Sequence, residues 1–164
     1  MKILVLSDSH SSLGFMRCCV DAVKPDAIIH LGDHYEDGQV LKEEYPHIPV
    51  HQVPGNCDRY RCGPEIHRML CYQIGGVMLY MTHGHNEQVK SGIGLLLAKA
   101  RKYGAMAALY GHTHQPDCHR EEDGMWVLNP GSGGYGGSAG LITIQDGQIT
   151  RCRILRQESL EEIL

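Results

Sequence analysis

Asp8, His10, Asp33, Asn56, His83, His112 and His114 stand in five short clusters, each at the end of an apolar run. The clusters are Asp8-Ser9-His10, Gly32-Asp33, Gly55-Asn56, His83-Gly84-His85 and Gly111-His112-Thr113-His114. Carboxylate, imidazole and amide donors together suit manganese, iron, zinc, nickel or cobalt, and the set needs no thiolate. Seven donors are too many for one ion of ordinary coordination number, and they match two ions that share a carboxylate. Two ions about 3.5–4 Å apart clamp the attacking and leaving oxygens of a phosphoryl group and acidify a water between them. The chemistry indicated is phosphoester hydrolysis.

Such a site requires that the five clusters meet. Residues 2–6 (KILVL) and 27–31 (AIIHL) are continuous apolar runs, as expected of buried strands, and residues 49–53 form a third. Ser12 is placed to cap a helix to Val23, with Leu13, Met16, Val20 and Val23 on one face and Pro25 ending it. A short helix is expected over 38–45. Residues 69–82 read as a hairpin turning at Gly75-Gly76. A helix from Ser91 to Tyr103 follows, with Leu95, Leu96 and Leu97 as core, and then a strand from Ala105 to Tyr110. Strands near 117–121, 125–128, 139–145 and 148–155 flank Asp123-Gly124 and Asp146-Gly147. Alternating strands and helices followed by hairpins indicate an α/β class with mixed sheets. Ligands of α/β sheets lie outside the carboxyl ends of strands, so the five clusters are expected at one rim. Gly32, Gly55, Gly84 and Gly111 beside them permit close backbone approach.

The 164 residues, 42% hydrophobic and 21% charged, are expected to form one domain over 1–164. Seven cysteines, an odd number with Cys18 and Cys19 adjacent and no CxxC, argue against a disulfide framework and for a reducing, cytoplasmic setting. The opening MKILVLSDSH is too short in apolar residues for a signal segment, and no run approaches a membrane span, so no membrane partner is expected. A net charge of −4 lacks the basic excess of a nucleic-acid binder, and no stable nucleic-acid binding is expected. The expected partner is a small phosphoester substrate, and a homo-oligomer is compatible with the chain.

In this order, D-x-H, G-D, G-N, H and G-H-x-H resemble the calcineurin-like metallophosphoesterase superfamily, in particular its small prokaryotic phosphodiesterase branch. The resemblance spans nearly the whole chain, and Asn129-Pro130-Gly131-Ser132 resembles a further family segment. It implies a four-layer α/β/β/α sandwich of two mixed β-sheets flanked by helices. It also implies that Asp8, His10, Asp33 and His114 hold one ion, with Asp33 bridging to a second completed by Asn56, His83 and His112. The implied cofactor is two divalent metal ions, Mn2+ foremost, with Ni2+, Co2+, Fe2+ or Zn2+ as alternatives. The implied activity is a dinuclear metal-dependent phosphodiesterase whose nucleophile is a metal-bridging hydroxide. Phosphomonoester or nucleotide hydrolysis at the same site is the alternative. A non-catalytic scaffold, as in a subunit of a eukaryotic trafficking coat, is another, and the presence of all seven donors argues against it.

One position departs from the family pattern. Many relatives place a histidine after the Asn of G-N to protonate the leaving group, and this chain has Cys57 there. His85 is the candidate substitute, with a solvated loop residue as its ordinary reading. Asp58 is the other candidate catalytic side chain, with a ligand-orienting or plain turn role beside it. Arg59 and Arg61, just past the Asn56 turn, could steer a phosphate, although surface charge is the commoner role. His30, His34, His47, His51, His67 and His119 have no assigned function. The glycine-rich stretch 131–140 lacks the ending of a P-loop and reads as a rim loop.

Overall fold

A computed structural model describes residues 1–161 of the chain. The apolar runs ahead of Asp8, Asp33, His83 and His112 are strands covered on both faces. In β1 (Lys2–Leu6), Ile3 and Val5 enter a core between two sheets, while Leu4 and Leu6 enter a second core beneath helices. Successive side chains of a strand point to opposite faces, so a strand covered on both sides reads as an unbroken apolar run. The same alternation holds in β2 (Ala27–His30), β5 (Val77–Thr82) and β6 (Ala107–Leu109).

With β3 (Val50–Gln52), β9 (Ser138–Gln145) and β10 (Gln148–Arg156), the first sheet runs β10-β9-β1-β2-β3. With β4 (Met69–Ile74), β7 (Asp117–Arg120) and β8 (Trp126–Asn129), the second runs β4-β5-β6-β8-β7. Both are mixed: β1–β2–β3 and β5–β6–β8 pair parallel, and their neighbours pair antiparallel. Helices α1 (Leu13–Val23), α2 (Tyr35–Glu44) and α4 (Gln157–Glu161) bury Met16, Val20, Leu41 and Leu160 against the first sheet. Helix α3 (Gly94–Lys102) buries Leu96, Leu97 and Ala100 against the second. The result is the four-layer α/β/β/α sandwich.

Several boundaries differ from the sequence expectation. Helix α2 starts at Tyr35 rather than residue 38, with Glu36 and Asp37 in its first turn, where acids favour the helix dipole. Helix α3 starts at Gly94, because residues 89–91 form a separate 3-10 turn. Leu95 is 46% exposed while Leu96 is fully buried, since a helix cannot turn three consecutive residues to one face. The two C-terminal hairpins separate: β7–β8 completes the second sheet, whereas β9–β10 crosses to the first and lays β9 against β1. Among the described residues no helix is long and apolar enough to cross a membrane.

Leu96 and Leu95 provide a matched test of this packing. Leu96→Ala is expected to lower the unfolding free energy by about 2–5 kcal/mol. Leu95→Ala should stay within about 0.5 kcal/mol. Urea denaturation followed by circular dichroism measures both.

Candidate metal centre

Strands β1, β2 and β3 of one sheet and β5 and β6 of the other end at a common rim, where hydrogen bonds lace them together. Within the sheets, Asp8 N donates to Gly32 O (2.9 Å) and Gly111 N donates to His83 O (2.9 Å). Between the sheets, His83 Nδ1 donates to Leu31 O (2.7 Å) and His112 N donates to Asp8 Oδ2 (3.1 Å). A carbonyl only accepts, so the bond to Leu31 puts the His83 proton on Nδ1 and leaves the Nε2 lone pair facing the site.

Asp8 is fully buried. Its Oδ2 accepts from Ser7 Oγ at 2.5 Å and from the His112 amide. Its Oδ1 receives no hydrogen bond, yet lies 3.0 Å from His114 Nε2 and 3.9 Å from His83 Nε2. His83 Nε2 lies 3.5 Å from Asp33 Oδ2 and 3.1 Å from Asn56 Oδ1. His10 Nε2 is likewise buried without a partner, and its ring centroid is 5.4 Å from that of His114. Asp8, His10 and His114 offer ligand atoms within 4.8 Å of one another, and so do Asp8, Asp33 and His83. Asp8 is the carboxylate common to both groups. Asp33 Oδ1 accepts from Cys57 N (2.9 Å), and its Oδ2 is the oxygen turned towards His83. Buried oxygen and ring-nitrogen atoms that converge without a formed hydrogen bond are the arrangement that a bound cation satisfies, and the donor set fits divalent metal.

At Asp33 and His112 the electrostatics favour the ligating form. Burial opposes the Asp33 charge, but His83 and the Cys57 amide outweigh it and hold the carboxyl below its ordinary range. Burial, then His83 and Lys90, push the His112 ring down to about 4. The His112 ring is edge-on to His83, with centroids 5.1 Å apart. Asn56 is solvent-exposed at the mouth.

The rim backbone is strained. Asp8, His10, Asp33, His112 and His114 have φ of 52°, 45°, 45°, 68° and 59°. Such left-handed conformations in residues other than glycine cost about 1–3 kcal/mol each and survive only where the surroundings dictate them. Three polar side chains do so here. Asp58, 1% exposed, accepts from Asp33 N (2.9 Å) and Gly55 N (2.7 Å) on Oδ2, and from Tyr35 N (2.9 Å) on Oδ1. Asn129 Nδ2 donates to Gly111 O (3.2 Å) and to Thr113 Oγ1 (2.9 Å). Ser132 Oγ donates to Asp8 O (2.8 Å). Two glycines are obligatory for space: a Cβ on Gly55 would lie 1.9 Å from Asp33 Oδ1, and one on Gly111 would lie 2.1 Å from Ser7 Oγ.

His85 is partly buried, with its ring 5.5 Å from His83 and 6.2 Å from His112, and its Nδ1 has no partner. Burial, followed by His83, pushes its pKa down, so the ring is neutral. Cys57 accepts a bond from Asn56 Nδ2 (3.7 Å), and burial together with Asp33 pushes its thiol up to about 11. Sequence reasoning did not find a polar chain beneath the Asp8 loop. In it, His30 Nε2 lies 2.9 Å from Ser9 Oγ, which donates to Asp37 Oδ2 at 2.6 Å. The available signal was parity: His30 alternates with Ile29 and so must face the helix side. Tyr135 was also missed. It stacks on His114 at 5.9 Å and tilts towards His10 at 5.5 Å, from within the glycine-rich stretch. His51 pairs with Tyr72, and His119 sits between Asp117 and Glu121, both away from the rim.

Residues 1–146 match the family model of the calcineurin-like phosphoesterase superfamily domain. A probable metallophosphoesterase of Methanothermobacter thermautotrophicus is 33% identical over 141 residues, covering 80% of this chain and 77% of that one. A conserved uncharacterized protein of Streptococcus pneumoniae, described as a predicted phosphoesterase, superposes with a TM-score of 0.76 at 25% identity, over 96% of this chain and 90% of that one. Wild-type Vps29 complexed with zinc, from Entamoeba histolytica, superposes with a TM-score of 0.67 at 21% identity, over 95% of this chain and 99% of that one, a likeness of fold alone.

Asp58→Asn tests whether captured amides hold the donors in place, because it turns an NH2 towards backbone N–H groups. The expected result is a loss of about 1–3 kcal/mol in stability. Mn2+ affinity should fall about 10- to 100-fold in calorimetric titration.

Proposed function

The chain belongs to the calcineurin-like phosphoesterase superfamily, with its match over residues 1–146, and from that premise we propose that it is a dinuclear metal-dependent phosphodiesterase built as one catalytic domain. The observation that carries the proposal is Asp8 Oδ1, a buried oxygen without a hydrogen-bond donor that faces the ligating nitrogens of His114 and His83. In this reading Asp8, His10, Asp33 and His114 hold one divalent ion, manganese foremost, and Asp33 is shared with a second held by Asn56, His83 and His112. When bound, the pair supplies an activated water as nucleophile and neutralises the non-bridging phosphoryl oxygens.

The protein's own groups orient and hydrogen-bond. The Leu31 carbonyl fixes the His83 tautomer, and Asp58 acts as a positioning residue, since both its oxygens are taken by backbone amides. A neutral His85 offers the substrate a hydrogen bond but little acidity, and the Cys57 thiol, with its pKa pushed up to about 11, keeps its proton. Neither is a strong acid for a departing alkoxide. Diesters whose leaving group needs little protonation are the favoured substrates. The free cysteines support a reducing, cytoplasmic setting. The presence of every candidate donor at the rim favours catalysis over a non-catalytic scaffold role.

Stripping metal with a chelator and restoring Mn2+, Ni2+, Co2+, Zn2+ or Mg2+ singly tests the reading, with bis(4-nitrophenyl) phosphate assayed beside 4-nitrophenyl phosphate. Mn2+ is expected to restore turnover of the diester above the monoester. Asp8→Asn and His83→Ala should each cost more than about 100-fold in kcat/KM. A protein that binds no metal and turns over neither ester with any ion refutes the proposal, and a preference for the monoester redirects it.

Cys57→His tests the account of the leaving group. It is expected to accelerate hydrolysis of diesters with alkyl leaving groups by about 100-fold, with much less effect on nitrophenyl esters. Equal rates for the variant and the parent on alkyl diesters would remove Cys57 from the explanation.

A further inference from the structure

Beside Asn56 opens a cavity of about 600 Å3, lined by Gly55, Asn56, Arg59, Arg68, His85 and Asn86. It borders the candidate metal centre through Asn56 and His85, and it holds two guanidinium groups. Resting on the phosphoesterase reading above, we propose that this cavity is a subsite for a second phosphate carried on one arm of the substrate, gripped by Arg59 and Arg68.

The local fold explains why these two arginines reach the cavity. Residues Asn56–Asp58 form a 3-10 turn that Arg59 terminates in a helical conformation. Side chains three apart in a 3-10 turn eclipse one another, so Arg59 projects on the same side as Asn56. Arg61 falls two residues further round and is paired with Glu36 at 2.5 Å, which removes it from the mouth. Arg68 arrives from the chain just ahead of β4, where its Nη2 donates to the Cys62 carbonyl at 3.2 Å.

Neither guanidinium is neutralised by an acidic partner among the described residues. Arg59 rests over the Tyr60 ring at 5.8 Å. The Cys62 carbonyl takes one of the five N–H donors of Arg68 and none of its charge. Among the described residues neither arginine joins an ion pair, whereas Arg17, Arg61, Lys99 and Arg101 all do. A guanidinium presents paired N–H groups that match phosphate oxygens two at a time, and two of them in one cavity suit a doubly charged phosphate better than a single carboxylate. The exposed amide of Asn86 on the same wall adds a neutral donor. The substrate class indicated is a phosphodiester with a terminal phosphate on the arm that leaves past Asn56.

Equilibrium binding to the Mn2+-loaded full chain separates this inference from the reading beneath it. Thymidine 5′-monophosphate and thymidine 3′,5′-bisphosphate are titrated by calorimetry against the parent, Arg59→Gln and Arg68→Gln. The bisphosphate is expected to bind the parent at least about tenfold more tightly than the monophosphate. Each variant should cut that preference to about threefold or less, with thermal melts checking that it is folded. Equal affinity for the two ligands in the parent, with the monophosphate still bound, overturns the second-phosphate subsite and leaves the phosphoesterase reading standing. A parent preference that survives in both variants overturns the assignment to these arginines. Failure of both ligands to bind overturns both readings.

Discussion

The structure depends on keeping one carboxylate, that of Asp8, out of water. An ionised carboxylate in a protein interior is tolerated only when its oxygens meet donors or cations. Asp8 has donors on one oxygen and open nitrogens on the other. It follows β1, the central strand of its sheet, and the amide that clamps it follows β6, the central strand of the opposite sheet. The two sheets meet at their midlines through this contact. Residues brought in by neighbouring strands, Asp33 from one side and His83 from the other, then fall within reach of the same point. The sandwich converges seven donors because its central strands end face to face, and no long loop is needed to gather them.

Convergence is achieved against backbone preference. Five of the seven donors occupy left-handed conformations, which stagger successive side chains so that both Asp8 and His10, or both His112 and His114, face inward. The strain is offset where buried polar side chains capture loop amides and carbonyls. Asp58, Asn129 and Ser132 play this part at three separate loops, and each is buried. Their partners are mostly backbone groups, so the hydrogen bonds fix loop geometry independently of which metal or substrate is present.

The strands and the ligand clusters were legible in the sequence because both faces of the central strands are apolar and each run stops abruptly at a polar cluster. The pairing of strands was less so. The hairpins around Asp123-Gly124 and Asp146-Gly147 carry the same local signal, and only long-range packing sends β9 to β1 while β8 stays beside β6. The expectation for Leu95 failed because a run of three leucines does not show which one a helix turns outward. His30, Ser9 and Asp37 form a network whose members lie far apart along the chain, and composition gives no reason to link them. The Cys57 amide that orients the Asp33 carboxylate is likewise a backbone contact that side-chain identity does not reveal.

Charge placement follows from the same geometry. The chain carries a net charge of −4, but Glu36, Glu44, Glu87, Glu121 and Asp123 are engaged by arginine or lysine away from the donors. In the proposed reading, two divalent ions set against Asp8 and Asp33 at the rim give 4 − 2, or about two positive charges, flanked by Arg59 and Arg68. An acidic body repels an extended polyanion over its length, while a small positive mouth attracts a compact one within roughly a Debye length of about 8–10 Å. In the proposed reading that distribution favours small phosphoesters over nucleic acid. Because the donors lie at an open rim, the same reading leaves discrimination among those esters to the few side chains that stand on it, chiefly Tyr135 on the His114 side and the arginines on the Asn56 side.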